Sequence, residues 1–320
     1  MESNESVTIY IGEVPLSRPV RFWLLLFFDI PAIACTLFIL YYLLLRRPSQ
    51  HVLSNHTIIV LLIAVLPCQL IDVTLYLDFI RLGKVWPETP ARCLFWWLVD
   101  IGFYSSSTMI LAWASIERHI LIFHDRWIST RKRRILVHYA SLTILILYLT
   151  IYYIVMILFP SCSNSFDYTL PVCGAMPCYL LDPVIGMWDM MVHGCLSSLI
   201  IAIFSIGLLI RIIVRRWQFH RSIHWRKHRK MAIQMLSITV LYLVFNIPML
   251  VITIARLCGL PDSVSAVPQQ IALFLTYFVP LLLPFVCFST LPELRREMKT
   301  IVGFYHTHRA TVGTATERTL

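Results

Sequence analysis

Apolar residues gather into seven long runs, at 22–45, 57–80, 92–117, 135–159, 183–210, 231–257 and 267–289, with short polar stretches between them. A helix rises about 1.5 Å per residue, so roughly 20–25 apolar residues cross a hydrocarbon layer about 30 Å thick. The pattern therefore predicts an all-α integral membrane protein, a seven-transmembrane helix bundle. Residues 1–21 are too few to fold alone and are expected as a terminal arm. After the last run, Thr290 and Glu293 form a capping box. Leu291, Leu294, Met298, Ile301 and Tyr305 then recur on one face against Arg295, Arg296 and Lys299. This predicts a short amphipathic eighth helix over 290–305, lying in the membrane interface, and a polar tail over 306–320.

The third run carries the sharpest exception to its own pattern. Between Arg92 and Glu117 lie 24 residues whose one charge is Asp100. An isolated acid in mid-span costs about 2.5–3.5 kcal/mol on insertion scales, so Asp100 is expected to face a wet cavity or a partner. Arg118 follows 18 residues later. That is five turns of regular helix, so acid and guanidinium are expected on one face, roughly 27 Å apart. In the second run, Asp72 and Asp78 interrupt the outer half.

Composition agrees with a membrane protein, since 58% of the residues are hydrophobic, too many for an ordinary soluble domain. The net charge of +10 would suit nucleic acid, but its distribution speaks for topology instead. With alternate loops on alternate sides, 21 of the 27 Lys and Arg fall on one side. By the positive-inside rule that side is cytoplasmic, so the amino terminus is expected outside and the carboxyl terminus inside the cell. No nucleic-acid partner is expected. Asn4 begins a glycosylation sequon on the outer side. Cys93, Cys162, Cys173 and Cys178 all fall in outer segments, an oxidising setting in which three pairings are open.

The chain also carries a resemblance. Cys93 at the outer end of a span is followed 25 residues later by Arg118 of the triplet Glu117-Arg118-His119, and then by the apolar stretch 120–124. Trp86-Pro87 precedes the cysteine by seven residues. This set is similar to the third transmembrane helix of rhodopsin-family G-protein-coupled receptors. Phe245-Asn246-Ile247-Pro248 resembles the family's sixth-helix motif in its proline, and Leu283-Pro284-Phe285 its seventh. Pro248 and Pro284 are then the hinges.

The resemblance implies a plasma-membrane receptor that senses an extracellular ligand and signals to a heterotrimeric G protein. It implies a disulfide from Cys93 to the second outer loop, with Cys173 and Cys178 both open as partner and Cys162 available to the other. It places Asp100 where receptors of this family hold a protonated amine or a basic peptide side chain, and Tyr277 where a tyrosine bonds that acid. In it Glu117 holds Arg118 at rest, and activation frees Arg118 to face the G protein.

Several family features are missing. No acid lies near Val65 and Leu66, where a sodium pocket would need one, and His228 stands where the sixth span usually adds a second acid to the arginine lock. The seventh span has no Lys, which argues against an opsin. A receptor-like protein that has lost coupling is therefore an alternative. Another is a multi-span membrane enzyme built on the row His220, His224 and His228, one helix face at that spacing. No carboxylate joins the row and cationic side chains surround it, so no catalytic residues, metal or other cofactor are expected.

Overall fold

The computed structural model describes residues 14, 16–45, 53–123, 130–174, 177–218, 223–291 and 294. Among them are seven helices long and apolar enough to cross a membrane: α1 (Arg18–Leu45), α2 (His56–Leu82), α3 (Pro90–Leu121), α4 (Ile135–Leu158), α5 (Ile185–Val214), α6 (Ala232–Arg256) and α7 (Val267–Thr290). No strand occurs among the described residues. The chain is thus a multi-pass membrane protein with an all-α bundle fold. Asn4, most of the expected eighth helix and the tail lie outside the described residues, as do His220 and the side chains of His224 and His228.

Local chemistry sets the helix ends. Gly83 closes α2 in the left-handed region (φ 76°), its N–H bonded to the Phe79 carbonyl, a conformation that costs glycine little. Pro90 opens α3, where a missing N–H loses nothing. Asp182 caps α5, its Oδ1 accepting from the backbone N–H groups of Val184 and Ile185 at 2.9 and 2.8 Å.

The bundle is apolar on its outside as well as inside. Phe27 is 72% exposed and Ile151 61%, an arrangement that water would penalise and hydrocarbon does not. Disulfides Cys93–Cys173 and Cys162–Cys178 mark one end of the bundle, and Arg118 lies towards the other. Both proline hinges lie inside helices. Pro284 has no N–H for the carbonyl of Pro280 four residues back, and the Gln69 amide of α2 supplies the missing donor at 2.7 Å. Gln69 accepts in turn from Thr36 at 2.9 Å, so one buried side chain joins α1, α2 and α7.

Four of the seven spans contain widened, π-type turns, in which the backbone bonds reach one residue further: Cys68–Val73 in α2, Leu98–Phe103 in α3, Ile135–Ala140 and Ile154–Leu158 in α4, and Asp189–Leu196 in α5. Asp72, Asp100, His138, Asp189 and His193 all sit in such turns. The expected alignment of Asp100 with Arg118 rested on an unbroken 3.6-residue register, and the wide turn at Asp100 interrupts it.

The loop between α4 and α5 folds back over the disulfide end. Val172 and Cys173 both take left-handed backbone (φ 53° and 51°), unfavourable for a β-branched residue. The Cys93 bridge and a 2.7 Å bond from Trp97 Nε1 to the Val172 carbonyl hold them there. At the start of α5, Gly186 lets the loop approach closely, for a Cβ there would stand 2.2 Å from the Leu180 carbonyl oxygen. Gly186→Ala is expected to cost about 1–3 kcal/mol and to push Leu180 out of place. Gly194→Ala, where a Cβ meets nothing within 4 Å, is the matched control in thermal unfolding. Equal midpoints for the two variants would contradict the close approach.

Candidate functional site

Three polar clusters interrupt the apolar interior. The first joins α2, α3 and α7 in the half nearer the disulfides. Trp96 Nε1 donates to Asp72 Oδ1 at 2.8 Å, and the Tyr277 hydroxyl donates to the same oxygen at 3.3 Å. Tyr76 stacks on Tyr277 with ring centroids 4.8 Å apart. Asp100 approaches this group from α3, its carboxyl within electrostatic reach of that of Asp72. The structure therefore gathers Asp100 and Tyr277 about a shared centre, but the tyrosine expected to bond Asp100 bonds Asp72. Tyr277 keeps helical backbone (φ −60°, ψ −26°) between Asp262–Thr276 and Phe278–Thr290, and its hydroxyl meets α2 at Asp72.

The second cluster joins α4 to α5. Asp189 Oδ1 accepts from His193 Nδ1 at 2.7 Å and from the Tyr153 hydroxyl at 3.0 Å. His193 Nε2 meets the Tyr148 hydroxyl at 2.9 Å, and Trp188 Nε1 donates to that hydroxyl at 3.0 Å. Tyr179 of the loop lies close by. Burial foremost, and then the Asp189 charge, push its phenol far above the usual tyrosine range, so it stays neutral.

Beside this cluster opens a cavity of about 530 Å³ between α3, α5, α6 and α7. Tyr104, Asn246 and Tyr242 are among its lining residues. The Tyr104 hydroxyl donates to Asn246 Oδ1 at 2.6 Å, Asn246 Nδ2 donates to the Tyr242 carbonyl at 3.0 Å, and the Ser198 and Tyr242 hydroxyls lie 3.2 Å apart. Asn246, a polar residue in an apolar span, thus obtains the partners it needs. Among the lining residues, Asp189, His193 and Arg256 bear the acid, imidazole and guanidinium groups; Asp100 does not line the cavity.

The third cluster lies towards the other end. Glu117 Oε2 accepts from Thr57 of α2, and Oε1 pairs with His138 Nδ1 of α4. Glu117 and His138 are each 1% exposed. His138 Nε2 continues to His56 Nδ1 at 3.3 Å, and the Tyr139 hydroxyl lies at the same distance from that nitrogen. Arg118 is buried and within electrostatic reach of Glu117 and of Cys287 in α7. His119 sets its ring edge-on to Phe204 of α5, centroids 5.6 Å apart. Glu117, read from sequence as the holder of Arg118, thus also joins α3 to α2 and α4.

The two disulfides settle the pairing left open in the sequence: Cys93 bonds Cys173, and Cys162 bonds Cys178. Sequence reading passed over His138, Asp189, His193 and Gln69, although each is a polar or ionisable residue inside an apolar run, the signal that singled out Asp100. Asp72 was read as an interruption and is the centre of the first cluster.

No protein-family model matches the chain, and no curated protein shows a significant match to it.

Proposed function

We propose that the chain is a plasma-membrane receptor, a divergent member of the rhodopsin-type G-protein-coupled receptors, with its disulfide end outside the cell and its carboxyl terminus in the cytoplasm. The observation that carries this reading is the placement of one cavity and one buried arginine on a shared rod. Helix α3 contributes Tyr104 to the cavity and Arg118 to the opposite half of the bundle. A ligand that binds more tightly to one packing of α3 against α6 would shift the population of that packing. The Tyr104–Asn246 bond, which ties α3 to α6 at the cavity, is the contact such a ligand would bias.

Asp100, the residue expected from sequence to hold a cationic ligand, does not line the cavity. The cavity beside α5 is the better ligand site. Nucleotide exchange on co-expressed G proteins tests the signalling reading without a known ligand. The intact chain is expected to raise basal exchange above that of untransfected cells, and Arg118→Ala to return it to background at equal surface expression. Identical exchange in the three samples would remove the coupling claim and leave a receptor-shaped protein that does not signal. Epitope tags at the two ends should be accessible on opposite sides of the membrane.

A further inference from the structure

We infer that the cavity between α3, α5, α6 and α7 takes an uncharged ligand with an apolar body and a head that both accepts and donates a hydrogen bond, a primary amide being the simplest, seated on Asn246 and Tyr104. This rests on reading the cavity as the ligand site. The chemistry of that floor fixes its hydrogens. The side-chain atom of Asn246 that lies 3.0 Å from the Tyr242 carbonyl must be a donor, so it is Nδ2, and the other is the acceptor Oδ1. Oδ1 lies 2.6 Å from the Tyr104 hydroxyl, which therefore gives it the proton. Two capacities are left over. Nδ2 has a second N–H and the Tyr104 oxygen can still accept, and neither is taken up by another described residue. Asn246 is 9% exposed, so a hydrogen bond made there forms with little competition from water.

The surroundings of the floor select against charge. Tyr104, Ser198, Tyr242 and Asn246 are neutral, and Asp100, one turn before Tyr104, does not line the cavity. On the wall, Asp189 and His193 are buried and bonded to each other, Asp189 also to Tyr153 and His193 also to Tyr148. Arg256 lies ten residues of α6 from Asn246, roughly 15 Å along the axis, and is engaged by Gln269 and by a further interaction. An ion brought to the floor would thus lose its hydration without meeting an uncommitted opposite charge, and that is costly. A neutral amide loses far less. Its carbonyl takes the Asn246 N–H, and its own N–H goes to the Tyr104 oxygen. Those two protein atoms stand at most about 5 Å apart, because Nδ2 and Oδ1 belong to one amide, and a single head group bridges that distance. Met190, Met249, Leu250 and Ile252 also line the cavity, apolar and in part flexible enough to close on a hydrocarbon body.

The test is thermal unfolding of the full chain in lipid nanodiscs with four probes that share one alkyl chain: octanamide, methyl octanoate, octanoate and octylammonium, each affinity corrected for partition into empty nanodiscs. Octanamide is expected to bind about 10-fold more tightly than the ester, which accepts but cannot donate, and at least as far ahead of the two ions. The double variant Tyr104→Phe, Asn246→Leu removes both capacities together and strands neither side chain, so it should fold and lose the preference for the amide over the ester. The ranking on the unaltered chain stands even where that variant folds poorly. Equal binding of the ester, equal or tighter binding of either ion, no binding of octanamide, or an undiminished preference in the double variant would overturn the inference. Basal nucleotide exchange dependent on Arg118, with no binding of octanamide, would reject the ligand class and spare the receptor reading. Selective binding of octanamide without any exchange would do the reverse.

Discussion

Replacing Cys93 and Cys173 together with alanine is expected to remove most of the folded protein from the membrane fraction, whereas the matching Cys162/Cys178 replacement should leave a substantial part of it. The first bridge joins residues 80 apart in sequence and the second only 16. In the chain-entropy account, closing the longer loop restricts the unfolded chain more, by roughly 4–5 kcal/mol against about 3 kcal/mol. Surroundings widen the gap. Cys93 and Cys173 are buried beside Trp97, and the left-handed backbone at Val172 and Cys173 depends on that anchorage. Cys162 is exposed. Removing both partners of a bridge avoids a stray thiol, so membrane-fraction yield and nanodisc unfolding midpoints report the bridge itself. Equal losses in the two pairs would refute the ranking.

The second large effect belongs to Glu117 and His138. His138→Leu leaves the Glu117 carboxyl in the bundle interior with one of its partners gone, and stranding a buried polar group in this way costs about 1–3 kcal/mol. Truncating both residues to leucine should cost much less than the sum of the two single changes, because neither polar group is then stranded. A double-mutant cycle on unfolding free energy is expected to give a coupling well above 0.5 kcal/mol, about the limit for independent sites. Additive single effects would show that the close contact carries little energy. Under the proposed function the same variant has a second readout. With Glu117 no longer tied to α4, basal nucleotide exchange should rise in the molecules that still fold.

The seven spans were legible because hydrocarbon leaves a backbone no choice. Every N–H and C=O must be satisfied within the segment, so an apolar run of sufficient length becomes a helix wherever it occurs. The observed spans accordingly start and end within a few residues of the runs, as with 135–159 against Ile135–Leu158. That Cys93, Cys162, Cys173 and Cys178 share one end of the bundle was legible for a similar reason, since the alternation of spans and loops places them together. Asp100 was legible as a site residue because a lone acid in an apolar run needs a partner. The identity of that partner was not. Asp72 lies 28 residues earlier, and whether its carboxyl meets Asp100 depends on how two helices are rotated about their own axes.

The sequence by itself determined the number of helices, their limits and the presence of polar groups that must be satisfied inside them. Only the tertiary structure decided which groups satisfy which: Cys93 with Cys173, Tyr277 with Asp72, Glu117 with His138, and Gln69 with the carbonyl that Pro284 leaves without a donor. The reason is one of phase. Helix formation is local and follows from each run alone, but a side chain's partner depends on the rotation of distant helices. Widened turns at Asp72, Asp100, His138 and Asp189 reset that rotation where no 3.6-residue pattern records it.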